Sequence, residues 1–290
     1  MISNKALVLI LVYVLLFFPK ISWAQTPPIL TATGDQYYCP LEEMKIVTDF
    51  NIVNPSNVPI KTVYIQISAG YVNGQDILKY VGTNPNITAS TFNTQEGKIT
   101  LSWNPTTTPI DAQLITAVKN VVYRSSSTVA TGSRSFSITI GEANYLASTT
   151  HYYEYVSVGI TWQAAKIAAE ERKYYGVLQG YLATITSAEE AQLCGEQTNG
   201  QGWIGGSDAE TEGVWKWVTG PEAGGTFWFG LANGNSNGAD YPYTNWVKDI
   251  EPNDYPSPII PGEENYAHVY GDGKWNDYPN SDPRITGYIV

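Results

Sequence analysis

The sequence predicts a multidomain chain, an N-terminal all-β sandwich followed by a C-terminal α+β domain. Three observations carry this expectation. The 290 residues exceed one ordinary domain, for which about 100–200 residues is the usual prior. From Gln36 to Ile140, short β-rich runs alternate with Asn/Pro/Gly clusters, and nowhere do apolar residues keep helical spacing for more than two turns. At Tyr145 the texture changes to an alanine-rich helical pattern, followed by strands joined by long loops. The expected boundaries are residues 1–24 for an export signal, 25–143 for the sandwich and 144–290 for the α+β domain.

The signal reads from its three parts. Lys5 supplies the positive start, Ala6 to Phe18 is almost wholly apolar, and Ser22-Trp23-Ala24 places small residues before a cleavage point at Gln25. The apolar run is shorter than the roughly 20 residues that span a bilayer. The expectation is a cleaved signal, no membrane insertion afterwards, and a secreted or cell-surface protein. Export permits disulfides, but Cys39 and Cys194 fall in different predicted domains, and two buried thiols are at least as consistent with the sequence.

In the first domain the expected strands are Lys45–Phe50, Thr62–Ile67, Lys98–Trp103, Val118–Tyr123 and Ser135–Ile140. The motifs Gly-Gln-Asp-Ile-Leu (residues 74–78), Gly-Lys-Ile-Thr-Leu (97–101) and Val-Val-Tyr (121–123) resemble the cadherin-like repeats of chondroitin sulfate proteoglycans and bacterial surface proteins. That resemblance, over Ile67 to about Tyr145, implies a spacer or adhesion module. Asp76, Asp111 and Glu142 are isolated loop carboxylates and are assigned no site.

In the second domain, Thr161 to Gly176 reads as a helix, with Thr161 able to cap it and Trp162, Ala165 and Ala169 on one face. Gly180–Ile185 reads as a strand, and Ser187-Ala-Glu-Glu190 as the capping box of a second helix ending near Gly195. Further strands are expected at Trp203–Gly206, Val214–Val218, Tyr266–Tyr270 and Gly287–Val290, with Trp203, Trp215 and Trp217 in the core. Asp272-Gly273 between apolar runs is a hairpin signal that would bring Glu264 near Asn276 and Asp277.

Charge is uneven. The net charge is −11, and Gly205 to Val290 holds thirteen Asp/Glu against four Lys/Arg. Such a balance repels phosphates and excludes nucleic acid as a partner. Glu251, Asn253, Asp254, Glu264, Asn276 and Asp277 crowd into one stretch, and all end in oxygen acceptors. Hard oxygen donors in that number suit calcium, which takes 6–8 oxygens, and suit zinc poorly. A solvated acidic surface and calcium that only stiffens loops are the competing readings.

From about His151 onward, TWQAAKIAA, GYLATITSAEE, WIGGSD, GVWKWVTG, TNW, EPND, ENYAH and WND follow one another in an order that resembles the C-type lectin-like domain of the bacterial type. The resemblance implies a principal calcium site of Glu251, Asn253, Glu264, Asn276 and Asp277. It implies an auxiliary site of Asp208, Glu212 and Asp254, with Glu264 shared. It further implies a cis Glu251–Pro252 bond, and sugar hydroxyls bound by Glu251, Asn253, Glu264 and Asn276 around Ca2+. The EPN triplet resembles the form associated with mannose, fucose and N-acetylglucosamine; galactose binders have QPD.

Three features depart from that pattern. The usual disulfide framework is missing, with Tyr266 and a helix alanine at cysteine positions. A Pro-rich insert separates Asp254 from Glu264. The chain stops at Gly287–Val290 within the expected last strand, which leads to the expectation of a longer polypeptide.

The resulting expectation is an exported calcium-dependent lectin segment of an adhesin. The alternative is a calcium-stabilised adhesion module that meets a protein partner without sugar. Nucleophile elbow, HExxH and phosphate-loop motifs are all lacking, so no enzyme activity is expected.

Overall fold

The computed structural model describes residues 27–129, 131–141, 143–174, 176–197, 201–255 and 262–290. The expected export signal, Glu142 and residues 256–261 of the Pro-rich insert lie outside the described residues.

The N-terminal half runs β1 (Ile29–Thr33), β2 (Met44–Lys45), β3 (Asp49–Val53), β4 (Thr62–Ala69), β5 (Asp76–Tyr80), β6 (Ile87–Ala89), β7 (Lys98–Trp103), α1 (Asp111–Val118), β8 (Val121–Ser125) and β9 (Ser135–Thr139). One sheet has the order β6-β7-β4-β9 and a second the order β2-β8-β5, while β1 pairs with β3. A single buried cluster takes Val63, Ile65 and Ile67 from β4, Leu101 from β7, Leu78 from β5 and Tyr123 from β8, so both sheets face one core. Alternation along β7, where Ile99, Leu101 and Trp103 point inward, gives the period of two that a half-buried strand needs.

This half is not all-β. Asp111 to Val118 form a helix whose Leu114, Ala117 and Val118 are buried at the i, i+3, i+4 spacing. The helix has only two turns, too few for periodicity to separate it from the strands around it. It also takes Val118, so the strand expected at Val118–Tyr123 begins at Val121 instead.

The C-terminal half runs β10 (Asn144–Leu146), β11 (His151–Tyr153), β12 (Tyr155–Val156), α2 (Trp162–Glu171), β13 (Lys173–Tyr174), β14 (Leu178–Gln179), α3 (Ala188–Ala191), a π-helical segment (Gln192–Glu196), β15 (Gly202–Ser207), β16 (Val214–Trp217), β17 (Thr226–Phe229), β18 (Tyr266–Val269), β19 (Trp275–Tyr278) and β20 (Gly287–Ile289). The main sheet has the order β12-β20-β15-β16-β17, and β18 joins β15 to β19. Thr161 Oγ1 caps α2 by accepting from Ala164 N at 3.2 Å. The helix stops earlier than expected, because Arg172 is already extended; Gly176, at φ 70°, turns the β13–β14 hairpin instead.

Ser187 caps α3, accepting from Glu190 N at 3.2 Å, but the reciprocal arm of the capping box lands one residue further back. Glu190 Oε2 accepts from Thr186 N at 2.7 Å and from its hydroxyl at 2.8 Å, while Oε1 takes the Tyr153 hydroxyl. Gly180–Ile185, expected as a strand, forms no ladder. Only Ala183 bonds to both sides, donating to Ile289 O at 2.9 Å and accepting from Gly205 N at 2.8 Å.

No disulfide joins Cys39, which is exposed, to Cys194, which is buried. Packing takes over that role. Trp203, Trp215, Trp217 and Trp275 are fully buried, and Trp217 stacks on Phe227 with centroids 4.4 Å apart. Each such ring is worth about 3–5 kcal/mol against alanine.

Candidate metal centre

The site is built where a loop and a hairpin are tied together. Trp275 N donates to Asn245 O at 2.9 Å and Val247 N to Trp275 O at 3.0 Å, so the loop enters as a short parallel neighbour of β19. A turn returns Glu251 N to Val247 O at 2.9 Å, and the Glu251–Pro252 peptide that follows is cis. The other component is the β18–β19 hairpin, with Ala267 opposite Asp277 and His268 opposite Asn276. Its loop contains Asp272-Gly273 as expected, but closes as a three-residue turn in which Tyr270 N donates to Lys274 O at 2.8 Å and Gly273 takes φ 81°.

Asp277 closes the gap between the two. Its carboxylate accepts from Asn253 N at 3.1 Å and from Asp254 N at 3.1 Å. Glu264 makes a second clamp: Oε2 accepts from Tyr255 N at 2.9 Å, while Glu264 N donates to Asp254 Oδ1 at 3.1 Å. The structure thus brings Glu251, Asn253, Asp254, Glu264 and Asp277 into one region, although up to 26 positions separate them in the chain.

Asp208 follows β15 and is buried, with Oδ2 accepting from Gly213 N at 3.0 Å. It lies within electrostatic reach of Glu212 and Asp277, and exposed Glu212 within reach of Asp254, Glu263 and Asp277. The eight anticipated ligand residues therefore lie on connected elements. Asn276 sits buried on β19 beside Asp277.

Electrostatics mark this region as incomplete. Burial pushes the Glu251 carboxyl up to about 9, helped by the Asp277 charge, a hydrogen bond to Asp277 and the Glu264 charge. Burial lifts Glu264 to about 7, against the lowering effect of the Tyr255 N–H. Asp208 is also held at about 7, first by burial and then by Glu212 and Asp277, while the Gly213 N–H opposes the rise. Burial raises Asp277 too, opposed by the donors from Asp254 and Asn253. Carboxylates this close must share protons or face a cation.

The nearby cation of the chain itself is already engaged. Arg284 lowers Glu264 through space, but its Nη2 lies 2.5 Å from Asp282 Oδ2 and its Nε 2.9 Å from Oδ1.

Among the described residues, four oxygens in this region are buried without a hydrogen-bond partner: Glu251 Oε2, Asn253 Oδ1, Asn276 Oδ1 and Asp208 Oδ1. Leaving a buried polar atom unpaired costs about 1–3 kcal/mol each, and acceptors so left are what a hard cation would take. Among the described residues no three His, Cys, Asp or Glu side chains converge as a metal site on their own. With the Asn253 and Asn276 carboxamide oxygens counted beside the carboxylates, the candidate donor set is all oxygen, which suits calcium. On these grounds the residues fit the ion.

Sequence reasoning passed over three contributors: the Tyr255 N–H that orders Glu264, the Asp282–Arg284 pair, and Glu263, whose charge raises Glu212. The Glu263-Glu264 doublet was the only visible signal among them. The site residues line neither the 560 Å³ cleft around Tyr152, Tyr174 and Tyr181 nor the 620 Å³ cleft between the halves.

No family model matches the chain. It is 36% identical over 238 residues to halomucin of Haloquadratum walsbyi (strain DSM 16790 / HBSQ001), a match covering 79% of this chain and 2% of that protein. It is 29% identical over 137 residues to human C-type lectin domain family 10 member A, covering 46% of this chain and 35% of the relative. Among solved structures, the carbohydrate-recognition domain of the mouse scavenger receptor C-type lectin is 26% identical and covers 48% of this chain and 84% of that one, with a TM-score of 0.33. The chain thus spans a small part of halomucin and about a third of the human relative, and is similar to C-type lectins over roughly half its own length.

Proposed function

We propose that the C-terminal half is a calcium-dependent carbohydrate-binding module. The observation that carries this reading is the set of unpartnered buried oxygens on Glu251, Asn253, Asn276 and Asp208, set among carboxyls whose proton affinities are raised. Glu251, Asn253, Glu264, Asn276 and Asp277 would hold the principal ion; Asp208, Glu212 and Asp254 would hold a second, sharing Glu264. Bound calcium would supply coordination positions for two sugar hydroxyls. Around it, the Glu251 and Glu264 carboxylates accept from those hydroxyls while the Asn253 and Asn276 amides donate to them. Charge-assisted bonds of this type are the stronger class. The EPN triplet favours mannose, fucose or N-acetylglucosamine. The similarity to human lectins supports glycan recognition, and the N-terminal half serves as the module that carries the site at the surface of an exporting cell. Among the described residues no helix is long and apolar enough to cross a membrane.

One observation favours a second reading, calcium that orders an adhesion surface for a protein partner. The Asp277 and Glu264 clamps bind loop N–H groups directly, so a cation there would stiffen the rim whether or not sugar follows. A glycan array run with calcium and again with EDTA separates the two. Mannose-type signals that vanish in EDTA, and in Asn253→Asp with the fold intact, support the lectin. Calcium-dependent thermal stabilisation without any glycan signal supports the adhesion surface, and sugar binding unchanged by EDTA rules out the mechanism.

A further inference from the structure

The π-helical segment Gln192–Glu196 and Gln197 behind it touch both halves of the molecule. On one side, buried Gln197 donates through Nε2 to Ile67 O at 2.7 Å and to Glu96 O at 2.9 Å. Both partners are carbonyls, so the orientation of this amide is fixed by its contacts. Gln192 adds two more bonds: its Oε1 accepts from Gly70 N at 3.2 Å and its Nε2 donates to Tyr71 O at 2.8 Å. Ile67 lies within β4, Gly70 and Tyr71 directly follow it, and Glu96 lies just before β7. The four bonds therefore grip the central strands of the N-terminal sheet.

On the other side the same segment presses against the hairpin that carries Asn276 and Asp277. A Cβ on Gly195 would meet Gly273 Cα at 2.1 Å, and a Cβ on Gly273 would meet Ala191 O at 2.9 Å. Backbone meets backbone there, with no side chain between to absorb a shift. Packed contacts of that kind transmit displacement, because interiors are close-packed and barely compressible.

We infer that Gln192, Gly195 and Gln197 are positioning residues, forming a strut through which the N-terminal half holds the β18–β19 hairpin in its metal-binding arrangement. This rests on the calcium reading given above, and it makes the N-terminal half a component of the site and not a passive spacer. Linkage then runs both ways: what the strut does for calcium, calcium must do for the strut.

The test uses the full chain and calcium alone. Calorimetric titration measures affinity, and hydrogen exchange by mass spectrometry follows peptides covering residues 67–71, which include the Gly70 amide held by Gln192. In the native chain, calcium should slow exchange in those peptides although they lie in the other half. Gln192→Ala/Gln197→Ala should weaken calcium binding by about fivefold or more and abolish the slowing, with the circular dichroism unchanged. Gln197→Met, which keeps volume and removes the amide, is the second variant should the double one not fold. Leu78→Ala, buried in the N-terminal core on β5, which takes part in none of the four strut bonds, should lower stability and leave calcium affinity as in the native chain.

Native affinity in the glutamine variants, or calcium-independent exchange at residues 67–71 in a native chain that binds calcium, overturns the strut and leaves the calcium reading standing. An equal loss of affinity in Leu78→Ala also overturns it, as general destabilisation. Failure of the native chain to bind calcium overturns the calcium reading and this inference together.

Discussion

Each half of the chain buries acid, and each deals with it differently. In the N-terminal half Asp76 is wholly buried, and everything its carboxylate needs is supplied by its own neighbours. Arg134 Nε lies at 2.6 Å, the Tyr123 hydroxyl donates at 2.7 Å and Val72 N at 2.9 Å. In the C-terminal half Glu251, Glu264 and Asp277 are buried together; backbone N–H groups donate to Glu264 and Asp277, and no arginine or lysine is bonded to any of the three among the described residues. One carboxylate is finished; the others are short of positive charge. A buried acid with its cation built in reads as structure, and buried acids without one read as a place for an ion from outside.

That contrast can be broken in several ways, the most damaging first. Arg134→Met should cost about 3–5 kcal/mol in urea unfolding, because it strands a buried charge, and calcium should not rescue it. Were calcium to restore this variant, the two halves would not be distinct in kind.

Glu251→Gln should do the opposite. It should abolish the stronger calcium event in titration calorimetry while leaving the cation-free melting temperature unchanged or higher, since a buried carboxyl that crowds Asp277 and Glu264 has been removed. Its pH behaviour follows from linkage. The folded carboxyl titrates near 9 against an ordinary 4.5, so between those values the folded state holds more protons than the unfolded one. Glu251's own contribution to the stability of the cation-free chain is then fully present below about 4.5 and is lost as pH rises towards 9. Calcium should flatten that slope, and Glu251→Gln should remove Glu251's part of it. In EDTA, a melting temperature with the same pH dependence in the native chain and in Glu251→Gln would contradict the buried-acid picture.

Smaller effects sharpen the map within the site. Glu212 is exposed and feels its neighbours only partly, so Glu212→Gln should remove a weaker second calcium event and spare the first. Loss of both events together would mean that the two groups of ligands form a single site. Smallest of all, Lys79→Met breaks a surface pair with Glu43 at 3.1 Å and should change stability by no more than about 0.5 kcal/mol, with no effect on calcium.

Local chemistry was legible in the sequence wherever neighbours along the chain decide it. The Thr161 and Ser187 caps, the β7 alternation and the turn at Asp272-Gly273 all depend on residues within a few positions of one another. Helix α1 was missed because two turns leave too little periodicity to outweigh a β-rich surrounding. The second arm of the Ser187 capping box is drawn into contacts beyond the box: Glu190 Oε2 accepts from Thr186 and its Oε1 from Tyr153, which comes from β11. The ligand residues could be picked out by type and by family resemblance, but not by their surroundings. Asp76, Glu251 and Asp277 are all acidic letters in the sequence, and nothing local says that only the first will meet an arginine 58 positions away.

By itself, then, the sequence determined the change of texture near Tyr145, the two helix caps, the oxygen-rich stretch from Glu251 to Asp277 and the acidity of the final third, since composition and short-range periodicity act before folding. Tertiary structure alone decided which carboxylates are compensated, which oxygens are left without a partner, and that Gln192 and Gln197 tie the first half to the second. Those are questions of distance between residues remote in the chain. Burial, which turns a cheap exposed charge into one that must be matched, exists only once the chain has closed on itself.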